Sequence, residues 1–393
     1  MMRGAVGQSP TMPAPPTTDK RTVTTPDSTQ VPPVFPEPSL PETAEVLTQT
    51  TYEGFTFSGT GGEYFRIWIV NILLTVLTLG IFSAWAKVRT MQYFYRNTRL
   101  AGASFDYHGN PIAILKGRLL AAILFGSYTA AGMVSPTAAL AVFGILVCVL
   151  PWLLCRSLRF RCYNTSYRGL RLRFTGTTAD AYRVFLLYPM AAALTFGGLL
   201  PLWQHRMKRY LHSNTSYGLT PFSFDAAVGG FYRAYLSALG LLAALITVAA
   251  MVIGPFIVAA LTAGETAAGA ISAALGMLAG ILMYLLGSMA IWAFISARVQ
   301  NLAWNGTHVG PHRFVSTIKA RQLAFITVTN LLGLLVTLGL FKPFAEVRLN
   351  NYLLSASRVA VSGSLNDFVA AEQLEVSAVG DEAVDMFDFD IAI

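Results

Sequence analysis

Metal binding is the chemistry that residue spacing suggests most directly, and the signal is weak. His308 and His312 are four residues apart, as two zinc ligands on one helix face would be. Gly310 and Pro311 lie between them and do not suit a helix. The pair is therefore predicted to be polar residues of a hairpin, and the sequence predicts no metal site.

Cysteines and carboxylates offer little more. Three cysteines recur every seven residues, which favours buried side chains on one helix face over ligands or a disulfide framework: Cys148, Cys155 and Cys162. Asp106 and Asp225 each follow a phenylalanine. They are predicted to form local ion pairs rather than an acid–base dyad. Nucleophile-elbow, zincin and Walker patterns are missing from the sequence, so neither an enzyme nor a cofactor is predicted.

Composition places the chain in a membrane. Of its 393 residues, 54% are hydrophobic and 12% are charged, and the mean hydropathy is +0.52. An average soluble domain is roughly 25% charged. The net charge of +8 comes from cations that flank apolar segments instead of forming one patch, so a nucleic-acid partner is not expected.

Five windows with almost no charge mark the membrane segments. A spanning helix needs about 20 residues. Residues 119–155 and 234–297 are each long enough for two helices, with turns predicted at 135–136 and 264–266. Residues 67–86, 184–205 and 322–341 have room for one pass at most.

The three short windows look like copies of one element. Each carries a Thr-x-Gly triplet, at 78–80, 195–197 and 337–339, followed by an aromatic residue and a basic cluster. A tyrosine follows at matching spacing in all three: Tyr93, Tyr210 and Tyr352. A second repeated pattern begins at Asn97, Asn164, Asn214 and Asn305, with a degenerate fifth copy at 357–368. Its period-two alternation beside Gly and Asn predicts short β-hairpins outside the hydrocarbon.

Two topologies remain open. If each short window spans, basic loops would lie on both sides of the membrane, against the positive-inside rule. If each enters and leaves on one side, every basic loop and hairpin is cytoplasmic. The predicted fold class is an all-α polytopic membrane protein with internal repeats. It has four spanning helices, three broken or re-entrant elements (or seven spanning helices) and short cytoplasmic β-hairpins.

The predicted domains are a disordered Pro/Thr-rich tail at 1–53, a membrane domain at 54–358 and an acidic tail at 359–393. Repeats within the membrane domain are expected at about 55–171, 172–311 and 312–358. The acidic tail has no Lys or Arg, and it is expected to be solvated or to dock on the basic loops.

The run of residues 55–118 resembles the YjgN-like family of bacterial inner-membrane proteins, whose domain is of unknown function. TLGIFSAWAKVR at 78–89 and FDYHGNP at 105–111 carry the resemblance, which extends over about residues 54–358. The second copy, LTFGGLLPLWQHRMKR, is looser. The resemblance implies a bacterial inner-membrane location and brings no catalytic residues.

One functional hypothesis is a transporter or channel-like protein for a neutral or lipid-like substrate, because broken helices at related positions often mark substrate sites. The predicted substrate path comprises Asn71, Thr78, Gly80, Thr195, Gly197, Asn330, Thr337 and Gly339.

The alternative is a non-transporting scaffold that binds anionic lipid or recruits a partner such as a membrane peptidase. The predicted contacts are Arg89, Arg99, Lys116, Arg118, Arg161, Arg171 and Arg173. A GxxxG pattern at Gly276 and Gly280 predicts close helix packing within the chain, with self-association as the alternative.

Overall fold

A computed structural model describes residues 50–379, with side chains described to residue 376. Most of the predicted Pro/Thr-rich tail, and the acidic residues from 380 onward, lie outside the described residues.

Ten short antiparallel strands close into a barrel in the order β1-β10-β9-β8-β7-β6-β5-β4-β3-β2. They are β1 Thr51–Phe57, β2 Thr98–Leu100, β3 Ala103–Tyr107, β4 Thr165–Tyr167, β5 Leu170–Phe174, β6 Thr215–Tyr217, β7 Thr220–Phe224, β8 Thr307–Val309, β9 His312–Ser316 and β10 Ser357–Val361. The first strand closes the ring, because its first half pairs with β10 and its second half with β2.

The predicted fold class is therefore wrong in its β part. The short hairpins are not separate additions to an all-α protein but parts of one closed barrel. Alternation within a strand of three to seven residues shows which face is buried, but not which distant strand it pairs with. The degenerate fifth hairpin does not form, since β10 pairs with β1 and a helix begins at Leu365.

Helices connect the strands as hairpins. They are α1 Gly61–Leu77, α2 Ser83–Asn97, α3 Pro111–Val134, α4 Pro136–Tyr163, α5 Thr178–Tyr182, a π-helical segment Arg183–Leu187, α6 Tyr188–Leu194, α7 Leu200–Ser213, α8 Val228–Ala263, α9 Ala267–Asn305, α10 Ala320–Val336, α11 Lys342–Ser355 and α12 Leu365–Val379. Each odd strand leads into a helical hairpin that returns into the next even strand. The described chain is thus five β-α-α-β units, closed into a ring, followed by α12.

Within the described residues, four helices are long and apolar enough to span a membrane: α3, α4, α8 and α9. Their predicted turns are confirmed, because Ser135 caps α4 and Thr266 caps α9 through side-chain oxygens that accept backbone N–H groups. At 1.5 Å per residue, the 39 residues of α9 extend about 58 Å, well beyond a hydrocarbon core of about 30 Å. Its carboxyl end therefore reaches the barrel.

The three short windows form helix–turn–helix hairpins with one shared backbone geometry. Leu79, Phe196 and Leu338 have φ of 50°, 50° and 51°, and each is followed by a glycine of positive φ. These three side chains are 95%, 102% and 94% exposed. A bulky residue in the left-handed region costs about 1–2 kcal/mol, so this conformation holds an apolar side chain outward at each tip against a local preference.

The barrel interior is apolar and aromatic. Side chains from most of its strands form one cluster with residues of α12, among them Tyr167, Tyr217, Val359 and Val369. Tyr167 donates to the Leu100 carbonyl at 2.8 Å and Tyr217 donates to the Tyr167 carbonyl at 3.1 Å, so both buried hydroxyls are satisfied.

The last helix, α12, covers the barrel end that carries the two-residue turns. Phe368 stacks on Tyr217 with ring centroids 6.2 Å apart. The buried Glu372 carboxylate accepts from the Leu219 and Thr220 backbone N–H groups at 2.9 and 3.3 Å, and from the Thr220 hydroxyl. Residues 365–376 are therefore docked on the barrel end through apolar side chains and turn backbone groups, a contact different from the predicted docking on basic loops.

Candidate functional site

The end of the barrel opposite α12 is where its strands pass into helices, and we call this level the junction. At each unit, the first residue after the odd strand donates its backbone N–H to the carbonyl at the end of the returning helix. These bonds are Ser58 to Asn97 at 3.0 Å, His108 to Asn164, Thr175 to Asn214 and Asp225 to Gly306 at 2.8 Å, and Thr317 to Ala356 at 2.9 Å. Because all five units close in the same way, all five helical hairpins leave the same end of the barrel.

A hydroxyl at the start of each even strand fixes the passage from helix to strand. Each donates to the carbonyl four residues earlier at 2.7–2.9 Å: Thr98, Thr165, Thr215, Thr307 and Ser357. The tyrosines that the sequence aligns share a contact as well. Tyr93, Tyr210 and Tyr352 each donate to the carbonyl of the residue that precedes the first helix of their own unit.

The seven predicted lipid-contacting cations are all exposed and lie in and around the junction. Arg99, Arg171 and Arg173 point outward from strands whose alternate residues are more deeply buried. Arg89, Lys116, Arg118 and Arg161 lie on helices. Among described residues, none of the seven has a carboxylate oxygen within 4 Å. Their charge is therefore available to an external anion.

A cleft of about 280 Å³ lies against α1 and α2 at this level, and we call it the Arg89 cleft. It is lined by Ile67, Arg89, Gln92, Tyr93, Arg96 and Asn97. Arg96 is engaged with Asp106 at 2.8 Å, which leaves Arg89 as the guanidinium open to a ligand. Burial, reinforced by the Glu63 carboxylate, raises the pKa of Tyr93 to about 12, so its hydroxyl remains a neutral donor.

Among the described residues, the predicted substrate-path threonines and glycines lie in three separate hairpin turns. Thr78, Thr195 and Thr337 lie at three separate hairpin tips, where each hydroxyl donates to the carbonyl four residues before it and accepts the N–H four residues after it. The following glycines, Gly80, Gly197 and Gly339, supply positive φ. These residues are accounted for by the geometry of the turns.

The two matching asparagines have different surroundings. Asn330 donates to the Ala345 carbonyl at 3.2 Å and accepts from Arg348 at 3.3 Å. Asn71 is equally buried, yet neither its amide nitrogen nor its oxygen has a hydrogen-bond partner. Arg89 follows Asn71 by the same 18 residues that separate Arg348 from Asn330. Its side chain makes no such bond among the described contacts.

The glycines predicted for helix packing lie between α8 and α9. A Cβ on Gly276 would be 3.0 Å from the Phe256 Cβ, and one on Gly280 would be 3.6 Å from Ile253. The pattern thus contributes to a contact within one helical hairpin.

Sequence reasoning missed two groups that the structure brings out. The first is the barrel-facing side of α12, where the apolar residues 365, 368, 369 and 376 and the buried Glu372 follow helical spacing that could have been read from the sequence. The second is His212 on α7, whose Nδ1 is 3.0 Å from the Thr307 hydroxyl. Burial, together with the nearby Lys208 charge, lowers the pKa of His212 to about 4, so the imidazole is neutral at pH 7.

Comparison with known proteins gives a family but no activity. A family described as "Bacterial protein of unknown function (DUF898)" matches residues 52–386. The chain is similar to "Inner membrane protein YjgN" of Salmonella typhimurium strain LT2, with 31% identity over 34% of each chain. The proteins of that name in Escherichia coli O157:H7 and K12 are 29% and 30% identical over 41% and 36% of this chain. These alignments span 34–40% of the relatives' own length. No solved structure matches.

Proposed function

Because the chain belongs to the family of bacterial proteins of unknown function DUF898, whose description assigns no activity, we propose a function from its geometry. It is a multi-pass inner-membrane scaffold that binds anionic phospholipid headgroups around its barrel–helix junction. The location follows the names of its relatives and the four apolar helices.

One observation carries this proposal: all five helical hairpins leave from, and return to, one end of a single closed barrel. A barrel cannot have strands on both sides of a bilayer while its helices span that bilayer. The barrel therefore lies wholly on one side, and the cations of the junction face one headgroup layer. The positive-inside rule makes that side the cytoplasm.

The short hairpins fit the same arrangement. A helix of 17 residues such as α1 extends about 25 Å, and both ends of its hairpin are tied to the barrel. Each hairpin then enters the membrane from the cytoplasmic side and places its exposed apolar tip in the hydrocarbon. We interpret these three hairpins as re-entrant copies of one element.

Anionic lipid is the ligand that suits the exposed cations. Exposed arginine forks bind phosphate bidentately, and each cation near an anionic surface contributes about 1 kcal/mol. Transport has less support, because six of the residues proposed for a path lie in three separate turns and the other two, Asn71 and Asn330, lie inside helices α1 and α10. Recruitment of a membrane peptidase and self-association stay predictions.

Single-cysteine labelling tests the topology. In a chain whose Cys148, Cys155 and Cys162 are replaced, cysteines at exposed positions Thr175, Asn305 and Ser355 should be protected from an impermeant maleimide in intact spheroplasts. A cysteine at Glu265, in the turn between α8 and α9, should label from outside. Labelling of Asn305 and Thr175 variants in intact spheroplasts would place the barrel on the wrong side.

Native mass spectrometry tests lipid binding by the full chain. We expect wild type to retain phosphatidylglycerol over phosphatidylcholine of the same acyl chains. A triple variant, Arg89→Gln, Lys116→Gln and Arg161→Gln, should lose that retention about tenfold. Arg183→Gln is the control because Arg183 is paired with Asp180 at 3.0 Å. Equal retention of both lipids by wild type would contradict the proposal.

A further inference from the structure

A second cleft at the junction, between the fourth and fifth units, carries charges of both signs. It measures about 440 Å³ and is lined by Asp225, Arg298, Asn301, Leu302, Asn305 and Arg313. We call it the Asp225 cleft. None of these residues belongs to the predicted lipid contacts, because α9, β9 and the link after β7 come together only through the barrel.

Two arginines supply the positive side of the cleft. The Arg298 guanidinium lies 5.0 Å from the Phe294 ring centroid, a cation–π contact that orients it. Arg313 extends from the outer face of β9. Neither has a carboxylate oxygen within 4 Å among the described residues. Two such forks at one cleft suit a phosphate, which each can contact bidentately.

Asn301 and Asn305 already make hydrogen bonds within the protein. Asn301 accepts from Ile318 N–H at 2.9 Å and donates to the Ile318 carbonyl at 2.9 Å. The Asn305 side-chain oxygen Oδ1 accepts from Ser316 N–H at 2.6 Å. That bond leaves the exposed Asn305 amide nitrogen without a described acceptor. The neutral lining therefore adds a hydrogen-bond donor, which again suits a phosphate.

Asp225 gives the cleft its selectivity. Its side chain is 70% exposed, and one carboxylate oxygen lies 3.5 Å from His308 Nε2. Its backbone N–H is fixed by the bond to the Gly306 carbonyl at 2.8 Å. A carboxylate beside two arginines would repel a simple anion. It would instead pair with an ammonium group carried by the same ligand as the phosphate.

The chemistry of common phospholipid headgroups then separates them. A primary ammonium can donate hydrogen bonds to Asp225, whereas the quaternary ammonium of choline cannot and is bound by aromatic cages. The cleft lining has no aromatic residue among its described members. A serine headgroup would bring its own carboxylate against Asp225. Ethanolamine meets both requirements.

The position of the cleft favours a lipid over a soluble ligand. Arg298 lies on α9, six residues beyond Trp292, which is 51% exposed on the same spanning helix. Exposed tryptophans of spanning helices are typical of the membrane interface. At 1.5 Å per residue, the two positions are about 9 Å apart along the axis, so Arg298 is at headgroup depth.

We propose that the Asp225 cleft binds the phosphoethanolamine headgroup of a phospholipid, with Arg298 and Arg313 on the phosphate and Asp225 on the ammonium. This inference rests on the proposed function, because it requires the junction to face headgroups. It goes further by naming one zwitterionic lipid class and a site separate from the Arg89 cleft.

Native mass spectrometry of the full chain with phosphatidylethanolamine, phosphatidylcholine and phosphatidylglycerol of equal acyl chains tests it. Wild type should retain phosphatidylethanolamine about tenfold over phosphatidylcholine. Asp225→Asn should abolish that preference without reducing phosphatidylglycerol. The double change of Arg298→Gln and Arg313→Gln should lower phosphatidylethanolamine retention about tenfold. Arg358→Gln, which removes one positive charge from the neighbouring strand outside the cleft, should leave the preference intact.

Failure of the ethanolamine inference can be distinguished from failure of the scaffold proposal. If wild type retains phosphatidylglycerol but shows no phosphatidylethanolamine preference, or if Asp225→Asn keeps that preference, the inference is overturned and the scaffold proposal stands. If wild type does not retain phosphatidylglycerol over phosphatidylcholine, the scaffold proposal fails. Free O-phosphoethanolamine should not displace the lipid at micromolar concentration, and displacement there would make the ligand a soluble one. Equal elution volume and helical circular dichroism of each variant confirm folding.

Discussion

Replacing Glu372 with alanine should release α12 from the barrel. The carboxylate accepts three hydrogen bonds, from two backbone N–H groups and one hydroxyl, and the residue as a whole is 4% exposed. A hydrogen bond to a charged group contributes about 1.5–3 kcal/mol, and each donor left buried and unpaired adds a further cost. Water that enters as the helix shifts can hydrogen-bond to these donors, which offsets part of the lost free energy. We therefore expect a loss of about 3 kcal/mol in the docking free energy.

Hydrogen–deuterium exchange of the α12 peptides measures that loss. A change of about 3 kcal/mol corresponds to roughly 100-fold faster exchange, since 1.4 kcal/mol is a factor of ten. Asp367→Ala is the matched control, because Asp367 is on the same helix but exposed, and its exchange should stay within about threefold of wild type. Wild-type protection of α12 in Glu372→Ala would refute the reasoning that this carboxylate holds the helix in place.

Three further predictions concern stability in detergent. Gly80→Ala should destabilise the first hairpin by about 1–2 kcal/mol, because Gly80 has φ of 94°, whereas Gly126→Ala inside α3 should be neutral or stabilising; thermal unfolding compares them. Since the folded-state pKa of His212 is depressed from 6.5 to about 4, stability should fall as pH drops from about 6.5 to 4, by about 3 kcal/mol in total. His212→Asn should flatten that part of the pH profile measured by chemical denaturation. Gly276→Leu should cost about 1–3 kcal/mol through its clash with Phe256, while Gly280→Ala should be tolerated in the same thermal assay.

Helices and turns were predictable where a local sequence signal was sufficient to place them. The uncharged windows located all four spanning candidates, and Ser135 and Thr266 lie where the turns were expected. The aligned Thr-x-Gly triplets also marked three turns of one geometry. Each of these features depends on a few adjacent residues, so periodicity and turn chemistry suffice to read it.

Closure of the barrel was not predictable in this way. A strand of three residues such as Thr98–Leu100 has too few positions to specify a partner, and β1 pairs with a strand more than 300 residues away. The charged clefts also depend on segments that are far apart in the sequence. Arg89 was predicted from its basic surroundings, but Asp225, Arg298 and Arg313 form a cleft only after three distant segments meet. The helical spacing of the α12 face is present in the sequence, but the acidic composition of the segment favours a solvated tail.

The pairing of β1 with β10 also sets the order in which the protein can be completed during synthesis. Thr51 pairs with Val361, so the ring has two unpaired edges until nearly the whole chain has left the ribosome. Both long helical hairpins, which end at residues 163 and 305, are available to the insertion machinery before that point. Assembly should thus proceed from membrane insertion to barrel closure, and a chain that stops before Ser357 would be inserted yet keep an open, aggregation-prone sheet.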